Sequence, residues 1–245
     1  MRTILSDLVA EQQTTDQFFQ TIDFRKWNTP TTAVGWDVRD LVSHLAHMED
    51  YAFNALAEDG SKLSDATDYP SLDHFNQVGV EIGRAMRVQD TLEWWRNSRA
   101  RVVEQLSKLS GDERIPWFSG PMSARSFASS RLMETWAHSI DAHRAVGSEP
   151  EDTLRLYHVA HLAYSALPYA FEVAGEEFGG ELRIELKAPE YKKWSFGPED
   201  APNTIFGSAG EFCRVAVQRE KAANTALEAE GDLAHTALRV VRCFV

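Results

Sequence analysis

Cysteine is scarce: Cys213 and Cys243 are the only two in 245 residues. Two isolated thiols build no disulfide framework in a chain of this size, and they suit a reducing cytoplasm, the expected compartment. Long apolar runs are missing as well. No stretch approaches the roughly 18 apolar residues of a membrane span. The opening MRTILSDLVAEQQ has neither a long apolar region nor a small-residue cleavage site, so no secretory leader is expected. Positive charge is short too. Lys and Arg number 25 against 37 Asp and Glu, a net charge of −12. That balance repels phosphate backbones, and with no local basic patch a nucleic-acid partner is not expected. There is no G-x-S-x-G, no glycine-rich phosphate loop and no C-x-x-C. Neither cysteine stands beside a histidine or a helix-start cluster, so neither reads as an activated nucleophile. Internal repeats and low-complexity segments are absent.

What remains is an ordinary globular chain, 43% apolar and 25% charged, long enough to bury a sizeable core. The first two-thirds read as helices. Residues 3–22 carry Leu5, Leu8, Phe18, Phe19 and Ile22 at helical spacing. Asp37 caps a second helix to about residue 58. A breaker-rich loop fills 60–71, and Ser71 caps a helical region to Leu109, kinked near Val88–Asp90. After a loop at 110–121, Ser123 opens a long helix that Gly147 stops. Residues 151–174 form a further helix, bent at Pro168. Past Gly179–Gly180 the period changes. LRIELKA (182–188) and KKWSF (192–196) alternate with period two across a PEY turn. NTIFG (203–207) and ALEAEG (226–231) are further strands, with helices over 208–222 and 232–244. The expected class is α+β: a four-helix bundle over residues 1–178 followed by a small α+β module over 179–245.

The most informative stretch is RLMETWAHSIDAHRAVG (131–147). Glu134, His138 and Asp141 stand at i, i+4 and i+7, which puts them on one helix face. An E-x-x-x-H pair alone could be an exposed ion pair. Here Leu132, Met133, Trp136, Ala137 and Ile140 make the helix apolar around nearly its whole circumference. Such a helix is buried, and buried charge needs a partner. In WDVRDLVSHLAH (36–47), His44 sits among Leu41, Val42 and Leu45. Two imidazoles and a carboxylate meeting from two helices would make a three-ligand metal site with one position open, the arrangement of a catalytic zinc. Non-haem Fe(II) suits the same donors.

GWDVRDLVSHL (35–45) and RLMETWAHSID (131–141) resemble the mycothiol-dependent maleylpyruvate isomerase family, within the DinB/YfiT-like metal-binding superfamily, and point to an actinobacterial branch. The family pattern is a Trp, an Asp-Leu pair and His-Leu on the second helix, then Glu-x-x-x-His-x-x-Asp on the fourth. The resemblance implies a DinB-like bundle and metal ligands at His44, Glu134 and His138. It implies mycothiol as thiol cosubstrate and, in the C-terminal module, an arginine facing the active site. Arg219 is the better match to that arginine and Arg214 the second. Asp141 would orient an imidazole or a bound group; the plainer reading is helix capping or a salt bridge with Arg144.

Other residues have plainer readings. His47, at i+3 from His44, reads as a partly buried, hydrogen-bonded histidine rather than a fourth ligand. His143 lies off the ligand face and reads as solvated. His158 and His161 read as packing or surface residues. Trp36 reads as a core anchor. Asp40 either accepts from the His44 imidazole or serves the helix start. Trp94–Trp95 are mostly core, while Trp117–Phe118 could line a pocket mouth. The Glu134 face supplies only acids apart from Arg131. The expected function is a metal-dependent, thiol-dependent isomerase or transferase. Its partners would be a low-molecular-weight thiol and a small electrophilic, carboxylated substrate, without nucleic acid or membrane. A hydrolase using metal-bound hydroxide and a non-catalytic metal- or ligand-binding protein are the alternatives.

Overall fold

The computed structural model describes residues 1–57, 71–118 and 120–243. The class is α+β. By internal contacts the chain forms two compact units, Met1–Pro150 and Glu151–Val245.

The first unit holds five helices among the described residues. These are α1 (Arg2–Thr21), α2 (Val38–Ala57), α3 (Leu72–Arg84), α4 (Val88–Ser107) and α5 (Ala124–Val146). Two short strands, β1 (Arg114–Ile115) and β2 (Met122–Ser123), pair antiparallel just before α5. Helices α1, α2, α4 and α5 make the bundle, and α3 lies along α2. One core cluster joins Phe19, Trp27, Leu41, Leu45, Trp95 and Ala142.

The caps explain where the site-bearing helices begin and end. At the start of α2, the Asp40 backbone N–H donates to Asp37 Oδ1 at 2.9 Å, and the Asp37 N–H donates to Asp40 Oδ2 at 3.1 Å. This reciprocal pair meets two of the helix's orphan donors. At the start of α5, Ser123 accepts from the Ser126 N–H. At its end Gly147 takes φ +86, while the Gly147 and Ser148 N–H groups return to the Arg144 and His143 carbonyls. A left-handed residue there suits glycine. Every residue from Phe127 to Ala142 except Glu134 is buried, as the apolar circumference of this helix requires.

The helical region expected from Ser71 to Leu109 is two helices. The break falls at Ala85–Arg87, just ahead of the kink expected at Val88–Asp90. Arg84, at the end of α3, swings back to bind Asp40 and the Gly35 carbonyl. The loop expected at 60–71 lies outside the described residues up to 70.

Helix α3 approaches α2 through Gly79 and Gly83, one turn apart. A Cβ on Gly83 would overlap the Ser43 side chain, and one on Gly79 would overlap the His47 ring. Gly83→Val is therefore expected to destabilise the bundle by about 1–3 kcal/mol, the usual cost of overpacking. Urea unfolding measures it, and an unchanged midpoint would mean that the helices do not cross there.

The second unit begins with α6 (Leu156–Ser165) and α7 (Leu167–Ala174). The single bent helix expected over 151–174 is thus two, broken at Ala166, with Pro168 in the first turn of α7. The expected bundle, over 1–178, includes both. Instead α6 packs on α8 (Ala209–Ala216) and α7 on α9 (Asp232–Val240), which moves the division of the chain to Pro150. Helical period says what a segment is, not what it packs against.

Four strands follow: β3 (Leu182–Lys187), β4 (Lys193–Phe196), β5 (Asn203–Ser208) and β6 (Glu228–Glu230), in the order β4-β3-β5-β6. Strands β3 and β4 form an antiparallel hairpin, β3 and β5 are parallel, and β5 and β6 are antiparallel. Leu182, Ile184 and Leu186 are buried while Arg183 and Glu185 are not, so the period-two pattern marks a sheet covered on one face. Helix α8 stops at Ala216, short of the expected 222. Gln218 turns to φ +58, and the Arg219 N–H closes the end on the Arg214 carbonyl. Helix α9 likewise ends at Val240 rather than 244. No helix among the described residues is long and apolar enough to cross a membrane.

Candidate metal centre

His44 lies on α2, and Glu134 and His138 lie one turn apart on α5. Their ligand atoms all fall within 4.8 Å of one another. Glu134 Oε2 is 3.7 Å from His44 Nε2 and 3.5 Å from His138 Nε2. Metal–ligand bonds of about 2.1 Å place tetrahedral donors about 3.4 Å apart. The two measured separations are close to that edge. Both histidines are buried, whereas the Glu134 side chain keeps 19% of its surface exposed, which leaves the cluster open on the carboxylate side.

Burial pushes the His44 imidazole down to about 4, against the pull of Glu134, so the ring is neutral at neutral pH. Burial alone would push the Glu134 carboxyl up. The two imidazoles and the Arg131 charge instead hold it well below the usual carboxylate range. Neutral imidazole and ionised carboxylate are the forms that bind a divalent ion. His44 Nδ1 has no hydrogen-bond partner among the described residues. His138 Nδ1 does have one, Asp141 Oδ2 at 3.1 Å, and the other Asp141 oxygen accepts from Thr32 Oγ1 at 2.5 Å. This fixes the His138 ring with Nε2 toward Glu134, the arrangement that tunes imidazole ligands elsewhere. The donor set, its spacing and its backing fit a divalent metal.

Residues 8–143 match the sequence profile of the mycothiol maleylpyruvate isomerase N-terminal domain. The chain belongs to this family. It is also 32% identical to an uncharacterized protein of Mycobacterium tuberculosis, present in two strains, over 98% of this chain and 94% of that protein. A crystal structure of mycothiol-dependent maleylpyruvate isomerase shares the fold at a TM-score of 0.61 and 16% identity, covering 93% of this chain and 92% of that one. A histidine-to-alanine variant of the same enzyme gives a TM-score of 0.62.

Around the histidine–glutamate–histidine cluster, several residues stand where the sequence placed them and others do not. Trp36 is half-buried against the core, as expected, but its ring also lies 4.9 Å from the His44 ring and 6.2 Å from the His138 ring, so it walls the site. Asp40 does not back His44. Its carboxylate is taken by Arg84, at 3.0 and 2.6 Å, and by the Asp37 N–H. A partner 44 residues away outcompetes an imidazole one turn along. His47 is not in the cluster. It is partly buried, as expected; its ring packs 4.4 Å from that of Phe75, and its Nε2 has no hydrogen-bond partner among the described residues. His143 is half-buried rather than solvated, stacked 3.5 Å from Phe18 and bonded to Ser148. His161 is exposed and His158 half-buried, both away from any ligand cluster among the described residues. In the second unit, Arg214 pairs with Asp152 at 2.8 Å, and Arg219 Nη1 donates to the Val217 carbonyl at 2.8 Å.

Sequence reasoning missed Thr32 and Glu49. Thr32 carries no local signal, because its partner is 109 residues away. Glu49 stands beside Asp50 on α2 and gives no local sign of being the buried one of the two, yet it is 1% exposed, and burial pushes its carboxyl up to about 7.

Asp141→Asn is expected to weaken zinc binding roughly 10–100-fold by loosening the His138 ring, with little change in the unfolding midpoint. Competition against a zinc chelator measures the affinity, and wild-type affinity in the variant would remove Asp141 from the site.

Proposed function

We propose that the protein is a metal-dependent enzyme, using zinc and a low-molecular-weight thiol, that isomerises or transfers thiol onto a small electrophilic, carboxylated substrate. The observation that carries this reading is the convergence of His44, Glu134 and His138 beside an open carboxylate edge, in a chain of this family. The crystallised relative of the same fold is a mycothiol-dependent maleylpyruvate isomerase, which supports mycothiol as the thiol and a maleylpyruvate-like acid as the substrate class. A reducing cytoplasm suits such a thiol, and neither Cys213 nor Cys243 forms a disulfide among the described residues.

His44 and His138 present neutral imidazoles, and Glu134 supplies the one negative charge among the three ligands. When bound there, a divalent metal supplies Lewis acidity that keeps a coordinated thiol ionised at neutral pH. Asp141 and Thr32 hold His138 in one ring orientation and tautomer. Trp36 covers both imidazoles and keeps bulk water from them. On the family resemblance, Asp141 and, in the second unit, Arg219 are the further catalytic candidates.

The test is turnover of maleylpyruvate by zinc-loaded protein with and without mycothiol. The proposal expects isomerisation only when both zinc and thiol are present. Thiol-independent consumption of the substrate would instead favour a hydrolase, and no metal uptake would favour a non-catalytic protein.

A further inference from the structure

Arg131 lies on α5 one turn before Glu134, on the same face. Its side chain is buried, 2% exposed, yet Nε and Nη1 have no hydrogen-bond partner among the described residues. Among the described residues its guanidinium forms no ion pair. It is held instead by aromatic rings, lying 4.8 Å from the centre of Trp117 and 5.7 Å from that of Phe127. One turn from Glu134 on the same helix, its charge acts on His44, Glu49 and Glu134. Buried Glu49, on which this charge acts, also leaves Oε2 without a hydrogen-bond partner among the described residues. The cation and this acid attract one another and do not pair. Buried guanidinium N–H groups that meet nothing are costly and uncommon. A structural ion pair would close that gap.

We infer that Arg131 is a carboxylate-binding residue of the candidate metal site, its unmet N–H groups receiving the carboxylate of an acidic substrate. The inference rests on the enzymatic reading above and deepens it by naming the residue that selects the substrate's acid group. The planar fork of a guanidinium matches a carboxylate with two parallel hydrogen bonds. With the Glu49 and Glu134 carboxyls already near, an acid group that brings one negative charge to Arg131 is favoured there over a phosphate group that brings two. The arginines of the second unit are less free to serve: Arg214 is held by Asp152, and Arg219 donates to its own backbone at Val217.

Maleate, a small unsaturated dicarboxylate, is the probe, titrated by calorimetry into full-length protein with and without zinc. Arg131→Met is expected to bind maleate roughly tenfold or more weaker than wild type, with zinc stoichiometry unchanged. Binding by the Met variant at wild-type affinity overturns the inference. If that variant does not fold, Arg131→Lys keeps the charge without the fork and is expected to bind severalfold weaker; equal binding overturns the assignment. If wild-type protein takes up zinc but binds no maleate, the carboxylate site is wrong and the metal reading stands. If wild-type protein takes up no zinc, the metal reading fails, and the zinc-free titration still decides Arg131.

Discussion

Replacing His138 with alanine is expected to abolish stoichiometric zinc binding and all thiol-dependent turnover while the bundle stays folded. Three protein ligands leave a metal no spare donor, so losing one is worse than losing an outer hydrogen-bond partner, which typically costs about 10–100-fold in affinity. The fold survives because the core is built elsewhere, around Phe19, Trp27, Leu41, Leu45 and Trp95. Asp141, which loses its imidazole partner, still accepts from Thr32. Metal analysis after exhaustive dialysis, beside a circular dichroism melt, reads both halves. A folded variant that retains one zinc per chain removes His138 from the ligand set.

Replacing Asp16 with asparagine is expected to cost about 2–4 kcal/mol at neutral pH, as breaking a buried ion pair on one side does. The Asp16 carboxylate joins α1 to α4, accepting from Arg96 at 2.7 Å and from Arg99 at 2.5 Å, with only 11% of its side chain exposed. Asparagine would leave both cations facing a neutral group, and Arg99, stacked 4.4 Å from the Trp95 ring, cannot turn out freely. The effect depends on pH. Burial pushes the Asp16 carboxyl up, but the Arg96 hydrogen bond and the Arg99 and Arg96 charges pull it down further, to a value below its ordinary 3.8. A carboxyl whose folded value is depressed contributes its stability in full above the unfolded value and loses it as pH falls through the folded one. Urea unfolding of metal-free protein should therefore show a constant gap between wild type and variant at neutral pH, closing below about pH 4. A gap that persists undiminished in acid would mean that the Asp16 charge is not its source.

Local chemistry made the metal-bearing helix legible. Ser123 and Gly147 bracket α5 where the cap residues stand, and the i, i+4, i+7 spacing puts Glu134, His138 and Asp141 on the face where they are found. Period-two alternation likewise placed β3 and β4. Competition between distant partners was not legible. Asp40 has the correct spacing to serve His44, but Arg84 claims it from another helix. The break at Ala85–Arg87 carries no proline or glycine, and it forms where Arg84 turns back toward Asp40. Thr32 and Glu49 reach the site only through tertiary packing. On a helix buried on every side, no sequence pattern separates a buried Arg131 from a solvated one.

Whether His44, Glu134 and His138 hold one divalent ion is decided by anomalous X-ray scattering at the zinc edge, from crystals grown with zinc. One strong peak is expected within about 2.0–2.2 Å of His44 Nε2, Glu134 Oε2 and His138 Nε2. A zinc peak elsewhere on the chain, or none between α2 and α5, would contradict it.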